Sequence, residues 1–418
     1  MSMEEENILI RNASQVVTCS GFAAKRGAEM SELNIIENGA VSIKDGIITH
    51  VGPTEEVLKQ VNIDDYLEID ASGRALIPGF VDSHTHFVFG GYREEEFSWR
   101  LKGDSYMSIM ERGGGIRSTV KATRDSFYDE LFVSGYERLD EMMNMGVTTV
   151  EGKSGYGLEL ATELVQLRVM SELNDEHPVD VVSTFLGAHA VPEEFEGRAD
   201  DYIDYIIEEM LPHVRMEHSV TFCDVFCEKG VFSLEQSERL LRAARHHRFK
   251  LKLHADEMVT FGGAELAARL KAVSADHLLH TSDAGIKKLA RSGVIATLLP
   301  LTAFSLDEPF ARGREMIDAG CAVALASDFN PGSSFSCSIP LLFSLACVKM
   351  KLTPEEALTA LTINGAAAVG RANKIGSIDV GKKADLVLLK YPSYKFLPYN
   401  VGMNAVDTVI KDGFVYFI

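Results

Sequence analysis

The chain has no apolar stretch near the roughly 18 residues that a membrane-spanning helix needs. It opens on MSMEEENILI, acidic where a secretory leader is basic and then apolar. Neither a signal peptide nor a transmembrane helix is expected. Positive charge is also in short supply: 41 Lys+Arg face 61 Asp+Glu, a formal net charge of −20 over 418 residues. Such a surface repels phosphate backbones and anionic lipid, which argues against nucleic acid and membrane as partners. An anionic ligand would need a local cationic anchor. Cysteine is sparse, and the six (Cys19, Cys223, Cys227, Cys321, Cys337 and Cys347) are too scattered for a disulfide framework. A reducing cytoplasm is therefore the expected compartment. Cys223 and Cys227 lie in the strand-like run TFCDVFC, where residues so spaced share a face but stand roughly 13 Å apart. They read as core residues rather than as a metal pair.

What is present fits a globular α/β protein. Hydrophobic residues make up 46% and charged residues 24%, enough for a sizeable core. The first 74 residues read as short strands and turns (ILIRNA, QVVTC, GAVSIKDGIITHVG), with a hairpin signal at Lys44-Asp45-Gly46. The character returns after Gly376 in GSIDVGKKADLVLLK and VDTVIKDGFVYFI. The two ends are expected to pair into one small β-sandwich domain, residues 1–74 plus 376–418. Between them, strand candidates at 75–84, 147–153, 179–187, 221–228, 249–254, 272–278, 293–299 and 322–327 alternate with helical patterns. Leu160, Leu164, Leu167, Met170 and Leu173 form one such pattern. This alternation predicts a (β/α)8 TIM-like barrel over 75–375, with an open doubly wound sheet as the alternative. Polar residues recur at the carboxyl ends of the runs, where barrel enzymes carry their sites.

His84-Thr85-His86 ends the run ALIPGFVDSHTH. Residues i and i+2 of a strand point to one side, so two imidazoles can converge on one ion. Alone the motif reads more readily as two surface histidines. It is joined by His189 in FLGAHA, His254 in KLKLHADE, His277 in SADHLLH and Asp328 in ALASDFNPG, each ending an apolar run. Three histidines and a carboxylate from different strands hold a divalent ion and leave a position for water. His84, His86, His254 and Asp328 are the expected ligands, although His254 also reads as a buried structural histidine and Asp328 as a turn residue. Glu257 reads either as a proton shuttle or as a solvated acid opening the next helix. His277 is placed to polarise a carbonyl or orient a nucleophile, and His189 to contact substrate. Lys153 ends the second barrel strand, too early to bridge two metals, so one ion is expected. Arg93 in HFVFGGYREEEF is suited to hold a carboxylate, whereas Glu94, Glu95 and Glu96 look like a solvated face. Tyr156 in KSGYGL ends another strand. Asn330, Gly332 and Ser333 offer amide, backbone N–H and hydroxyl donors beside Asp328. The Gly113–Gly115 run reads as a mobile cover or a loop; no P-loop lysine follows it.

With these residues in place the chain resembles the amidohydrolase superfamily, and within it the branch acting in histidine breakdown. The resemblance covers essentially the whole length, through PGFVDSHTHFVFGGYREEEF, GGGIRSTVKATR, KSGYGLE, STFLGAHAVPEEF, DVFCEKGVFS, LKLHADE, SADHL and SDFNPGSS. The HTH strand end and the GSIDVGKKADLVLL tail are shared across the superfamily; HFVFGGYREEEF, KSGYG and DFNPGSS are narrower signals. The resemblance implies hydrolysis of the cyclic amide 4-imidazolone-5-propanoate to N-formimidoyl-L-glutamate. It implies one divalent ion per chain, zinc or iron, held by His84, His86, His254 and Asp328, and a homodimer. Arg93, Tyr156, His189, Glu257, Asn330, Gly332 and Ser333 would contact the small anionic substrate. Glu257 and His277 would assist catalysis, with Asp328 a rival proton acceptor. Two positions depart from the family pattern: Gly152 stands where a larger residue is usual, and Leu301 is expected to narrow one pocket wall.

Two other readings share these residues. A deaminase of a purine- or pyrimidine-like ring would use the same ligands and Glu257 but would not need Arg93. A barrel that has lost catalysis would be expected to lack metal ligands.

Overall fold

The computed structural model of the chain describes residues 7–104 and 112–418. The segment preceding Arg112 in the glycine-run region thus lies partly outside the described residues. Five strands come from the N-terminal part: β1 (Ile8–Val17), β2 (Ile35–Lys44), β3 (Ile47–Pro53), β4 (Leu67–Asp70) and β5 (Ala75–Pro78). β1, β2 and β3 run antiparallel in series, and the β2–β3 turn places Asp45 and Gly46 at φ of 48° and 69°, as the Lys-Asp-Gly signal requires. β4 and β5 both lie parallel to β1.

The run 75–84, expected as one barrel strand, is two. Gly79 donates its N–H to Asp385 O (2.8 Å) in the terminal sheet, and Phe80 donates to Gly146 O (3.0 Å) in the barrel. The backbone changes sheets between consecutive residues. A Cβ at Gly79 would stand 2.3 Å from Thr148 Oγ1, so the crossing is open only to glycine.

Beyond it, β6 (Phe80–Thr85), β7 (Val147–Lys153), β8 (Asp180–Ala188), β9 (Val220–Cys227), β10 (Lys250–Ala255), β11 (Ser274–His277), β12 (Ile295–Leu298) and β13 (Val323–Leu325) pair in sequence order, all parallel. Helices between them cover the outside, which makes the barrel rather than the open sheet the architecture. The helix Leu160–Glu176 buries Leu167, Met170 and Leu173 as its spacing predicts. No regular ladder joins β13 to β6. The ring closes instead through a bridge between Thr85 and Phe329, donation from Ser327 N and Oγ to Asp82 (2.9 and 2.5 Å), and from Asp328 N to His84 O (3.0 Å).

β14 (Leu386–Leu389), β15 (Val406–Lys411) and β16 (Phe414–Phe417) return to the terminal sheet, β14 pairing antiparallel with β5. Their two-residue period divides two cores. Leu76, Leu386, Leu388 and Ile410 pack among the terminal strands, while Ala75, Ile77, Val387, Leu389 and Val409 join the barrel's core. No helix among the described residues is long and apolar enough to cross a membrane. Substituting Gly79→Ala is expected to destabilise the protein by about 1–3 kcal/mol, the usual cost of overpacking. Urea denaturation measures it, and an unchanged midpoint would contradict the role given to this crossing.

Candidate active site

Asp82 and His84 on β6 and His86 just past it point to one side, into the barrel beside the seam where it closes. His84 Nδ1 lies 2.7 Å from Asp276 Oδ2 on β11, which leaves Nε2 turned inward without a protein partner, 3.5 Å from Asp328 Oδ1. His86 Nε2 stands 3.6 Å from the same oxygen. His254, at the end of β10, has its ring 4.6 Å from that of His84 and 5.6 Å from that of His86, with Nδ1 3.1 Å from Asp224 Oδ2. Asp328 adopts φ 52°, and Thr302 Oγ1 donates to its Oδ2 at 2.6 Å. A carboxylate in the left-handed region is held by its neighbours, not by its own preference.

The donor set fits a divalent cation. Ligand atoms of His84, His86 and Asp328 lie within 4.8 Å of one another, as do those of His84, His254 and His277 and those of His86, His189 and His254. Burial drives the imidazoles of His84, His86 and His277 well below the usual histidine range, with the neighbouring cationic groups adding to it. Neutral rings with unpartnered nitrogens offer lone pairs, which suit a metal and not an anion.

Beneath the histidines lies a layer of charge of which sequence reading singled out only Lys153. Lys153 Nζ sits 2.8 Å from Asp224 Oδ2 and 3.0 Å from Glu151 Oε1; Lys252 Nζ sits 2.6 Å from Glu151 Oε2. All of these side chains and that of Asp276 are buried. Burial opposes the charge on Lys153, but Asp224, Glu151 and Asp276 hold its pKa well above the ordinary lysine value. The available signal was a charged residue alternating with apolar ones inside a buried strand, as in VEGK, KLKLH and FCDVF. Cys223 and Cys227 flank Asp224 and are buried, free core cysteines.

The other expected residues surround this centre. His189 stacks on His86 at a ring distance of 4.9 Å, and the Tyr156 ring lies tilted 5.8 Å from it. His189 Nδ1 bonds Gly155 O at 3.0 Å, and burial with His254 nearby pushes its pKa down to about 3. His277, at φ 75°, has both ring nitrogens unpartnered, and its Nε2 is 3.5 Å from Glu257 Oε2. Burial, with Asp328 and Glu228 adding, lifts the Glu257 carboxyl well above the usual range. Asp256 beside it caps the helix Gly263–Leu270 instead, accepting N–H groups from Phe261, Gly262 and Gly263.

Two expectations need correction. Glu96 is not a solvated acid: it is buried, accepting from Arg93 Nε (2.9 Å), Gly115 N (3.1 Å) and Ser118 Oγ (3.1 Å). Asn330 and Gly332 are not free donors. Gly332 N and Ser333 N both donate to Asn330 Oδ1 at 2.8 Å, and Asn330 Nδ2 donates to Asp328 O and Ser333 Oγ. These groups build the turn after Asp328, leaving the Ser333 hydroxyl hydrogen available. Gly152 faces Phe87 and Met170, where a Cβ would meet atoms at 2.8 and 2.9 Å, so its smallness serves helix packing. Leu301 is buried in the barrel core.

Residues 75–415 match the amidohydrolase family. The chain belongs to the amidohydrolase family, and more narrowly its sequence groups with imidazolonepropionases. It is 76% identical to the imidazolonepropionase of Parabacteroides distasonis, each chain covered in full, and 60% identical to that of Clostridium tetani, with 99% of each covered. The Bacteroides thetaiotaomicron imidazolonepropionase is 62% identical, over 98% of this chain and 99% of its own. Among solved structures, an adenosine deaminase from Xanthomonas campestris with bound zinc superposes with a TM-score of 0.69 at 20% identity, covering 99% of this chain and 93% of that one. An atrazine chlorohydrolase from Arthrobacter aurescens complexed with zinc gives 0.74 at 17% identity, covering 98% and 94%. These last two share the fold.

The loop that carries Tyr156 depends on Glu163, whose Oε1 accepts N–H groups from Gly155 (3.1 Å), Gly157 (2.9 Å) and Leu158 (2.9 Å) inside the protein. Gln166 adds a tie, accepting from Tyr156 N and donating to Val88 O. Glu163→Ala strands three buried donors and is expected to cost at least about 3 kcal/mol. A loss below about 1 kcal/mol on chemical denaturation would show that the loop holds itself.

Proposed function

We propose that the protein is a metal-dependent hydrolase that opens 4-imidazolone-5-propanoate, adding one water across the bond between ring carbonyl carbon and nitrogen to give N-formimidoyl-L-glutamate. The observation that carries this reading is the pairing of a buried histidine–aspartate cluster with Arg93 at the adjoining turn, in a chain 76% identical to an imidazolonepropionase over its full length. A deaminase of a neutral base shares the cluster but has no use for the guanidinium.

His84, His86, His254 and Asp328 would hold one divalent ion. Three nitrogens and one oxygen suit zinc and iron alike, and two solved proteins of this fold carry zinc. Bound there, a divalent cation supplies Lewis acidity and lowers the pKa of water toward neutrality. Asp276 fixes the ring of His84 so that Nε2, not Nδ1, would be the ligating nitrogen, and Asp224 sits correspondingly beside His254. Asp328 accepts the proton of the attacking water. His277, unpartnered at both nitrogens, donates a hydrogen bond to the carbonyl oxygen as charge builds there. Glu257, whose carboxyl is held well above the usual carboxylate range by burial and by Asp328 and Glu228, delivers a proton to the departing ring nitrogen. Arg93 and the Ser333 hydroxyl bind the propionate, and Tyr156 and His189 flank the ring.

The purified protein is expected to consume imidazolone propionate, to lose that activity on chelation, and to regain it with zinc or iron. Bound metal without turnover of this substrate would leave the barrel site standing and reject the assigned ring. Independently of activity, Asp276→Asn is expected to weaken metal affinity about 10–100-fold, as removal of an outer partner of a ligating histidine does. Competition against a chelator of known affinity reads this, and an unchanged dissociation constant would reject the role given to Asp276.

A further inference from the structure

Arg93 is the only cation that sequence reading assigned to the anionic end of the substrate, yet its charge is already matched. Its Nε and Nη2 lie 2.9 and 2.8 Å from Glu96 Oε2, a side-on pair in a mostly buried setting. Glu96 in turn is fixed by Gly115 N and Ser118 Oγ. The pair orients the guanidinium firmly, with its Nη1 against the α-carbon of Gly332, where an added Cβ would stand 2.2 Å away. It also leaves Arg93 and Glu96 together close to electroneutral. A carboxylate brought to this edge meets a well-placed donor but little net positive charge.

A second guanidinium reaches the same glycine. Arg100, two turns along the helix Glu94–Leu101, donates from Nη2 to Gly332 O at 3.3 Å and is half-buried. Arg93 and Arg100 therefore meet at one backbone position, on the turn that begins at Asp328. Burial, and then the proximity of Arg93, lower the Arg100 pKa, a like-charge strain that an incoming anion relieves. Its guanidinium lies 5.3 Å from the Phe97 ring, which covers one face and leaves the edge for hydrogen bonds.

We propose that Arg100 is a second carboxylate-binding residue, supplying at Gly332 the positive charge that Arg93, paired with Glu96, does not offer to an anionic substrate. This rests on the function proposed above and deepens it: the site selects a ring bearing a short carboxylate arm through two guanidiniums, one for orientation and one for charge.

The test compares wild-type protein with Arg100→Met and Arg100→Lys, each loaded with metal, on imidazolone propionate and on its neutral propanamide. Arg100→Met is expected to raise KM for the acid about 10–100-fold, as loss of one charge-assisted bond implies, with kcat within about twofold. It should leave the amide unaffected and flatten the rise of KM with ionic strength, while Arg100→Lys restores that salt dependence. An unchanged KM for the acid, or an equal loss on acid and amide, would overturn the proposal, the latter by assigning Arg100 to holding the turn. Should wild type fail to turn over the acid, the proposed function fails separately. Calorimetric binding of imidazole-4-propionate then decides: weaker binding by Arg100→Met supports the two-guanidinium site, and equal or absent binding rejects it.

Discussion

Two lysines buried in the middle of a barrel impose the constraint around which this structure is arranged. An uncompensated ammonium in such a place costs several kcal/mol, so Lys153 and Lys252 can exist there only with carboxylates in contact. Glu151 bridges the two, and Asp224 and Asp276 complete the layer. Those last two also touch His254 and His84. The lysines thus hold the acids, the acids hold the imidazoles, and the inward ring nitrogens are fixed before any ligand arrives. Two positive charges face three negative ones, and Asp328 adds a further carboxylate above. That residual negative potential, walled by apolar strands, suits a divalent cation.

The same strands explain why the site lies at the seam. Seven of the eight strand neighbours share regular parallel ladders, but β13 is short and meets β6 through side chains and a single bridge. Asp82 takes the Ser327 N–H that a strand would otherwise have paired, and Asp328, at positive φ, returns its own N–H to His84 O. Closing the ring by a ladder would have turned Asp328 away from the histidines. The irregular closure aims it between them, and Thr302 fixes its second oxygen.

The fold was largely legible because parallel strands buried on both faces leave apolar runs, and here those runs alternate with helical patterns. The break at Gly79 was not, since apolarity continues across it and only the identity of the hydrogen-bond acceptors changes. The histidines stood out because polar residues at strand ends interrupt an apolar pattern. Lys252 and Glu151 interrupt it too, but a single buried ion pair and a solvated strand end look alike until the partner strand is known. Glu96 and Asn330 were misjudged for a related reason. Runs such as REEEF and DFNPG are hydrophilic whether they face water or bind their own backbone, and only tertiary packing decides which.

A net charge of −20 stands against the anionic substrate proposed above, and the length scale of screening removes the conflict. At physiological ionic strength, exposed charges fade beyond about 8 Å, so the acids scattered over the surface contribute little inside the barrel mouth. Under the proposed function, what an incoming carboxylate would meet at close range is set by Arg93, Glu96 and Arg100, gathered where the helix Glu94–Leu101 faces the turn after Asp328. A global positive field would attract every cellular anion and would also oppose loading of a cation among the histidines. Confining positive charge to the rim, with negative charge in the floor, would let one barrel hold both the metal and the anion proposed for it. The acidic exterior then serves solubility without reaching the chemistry.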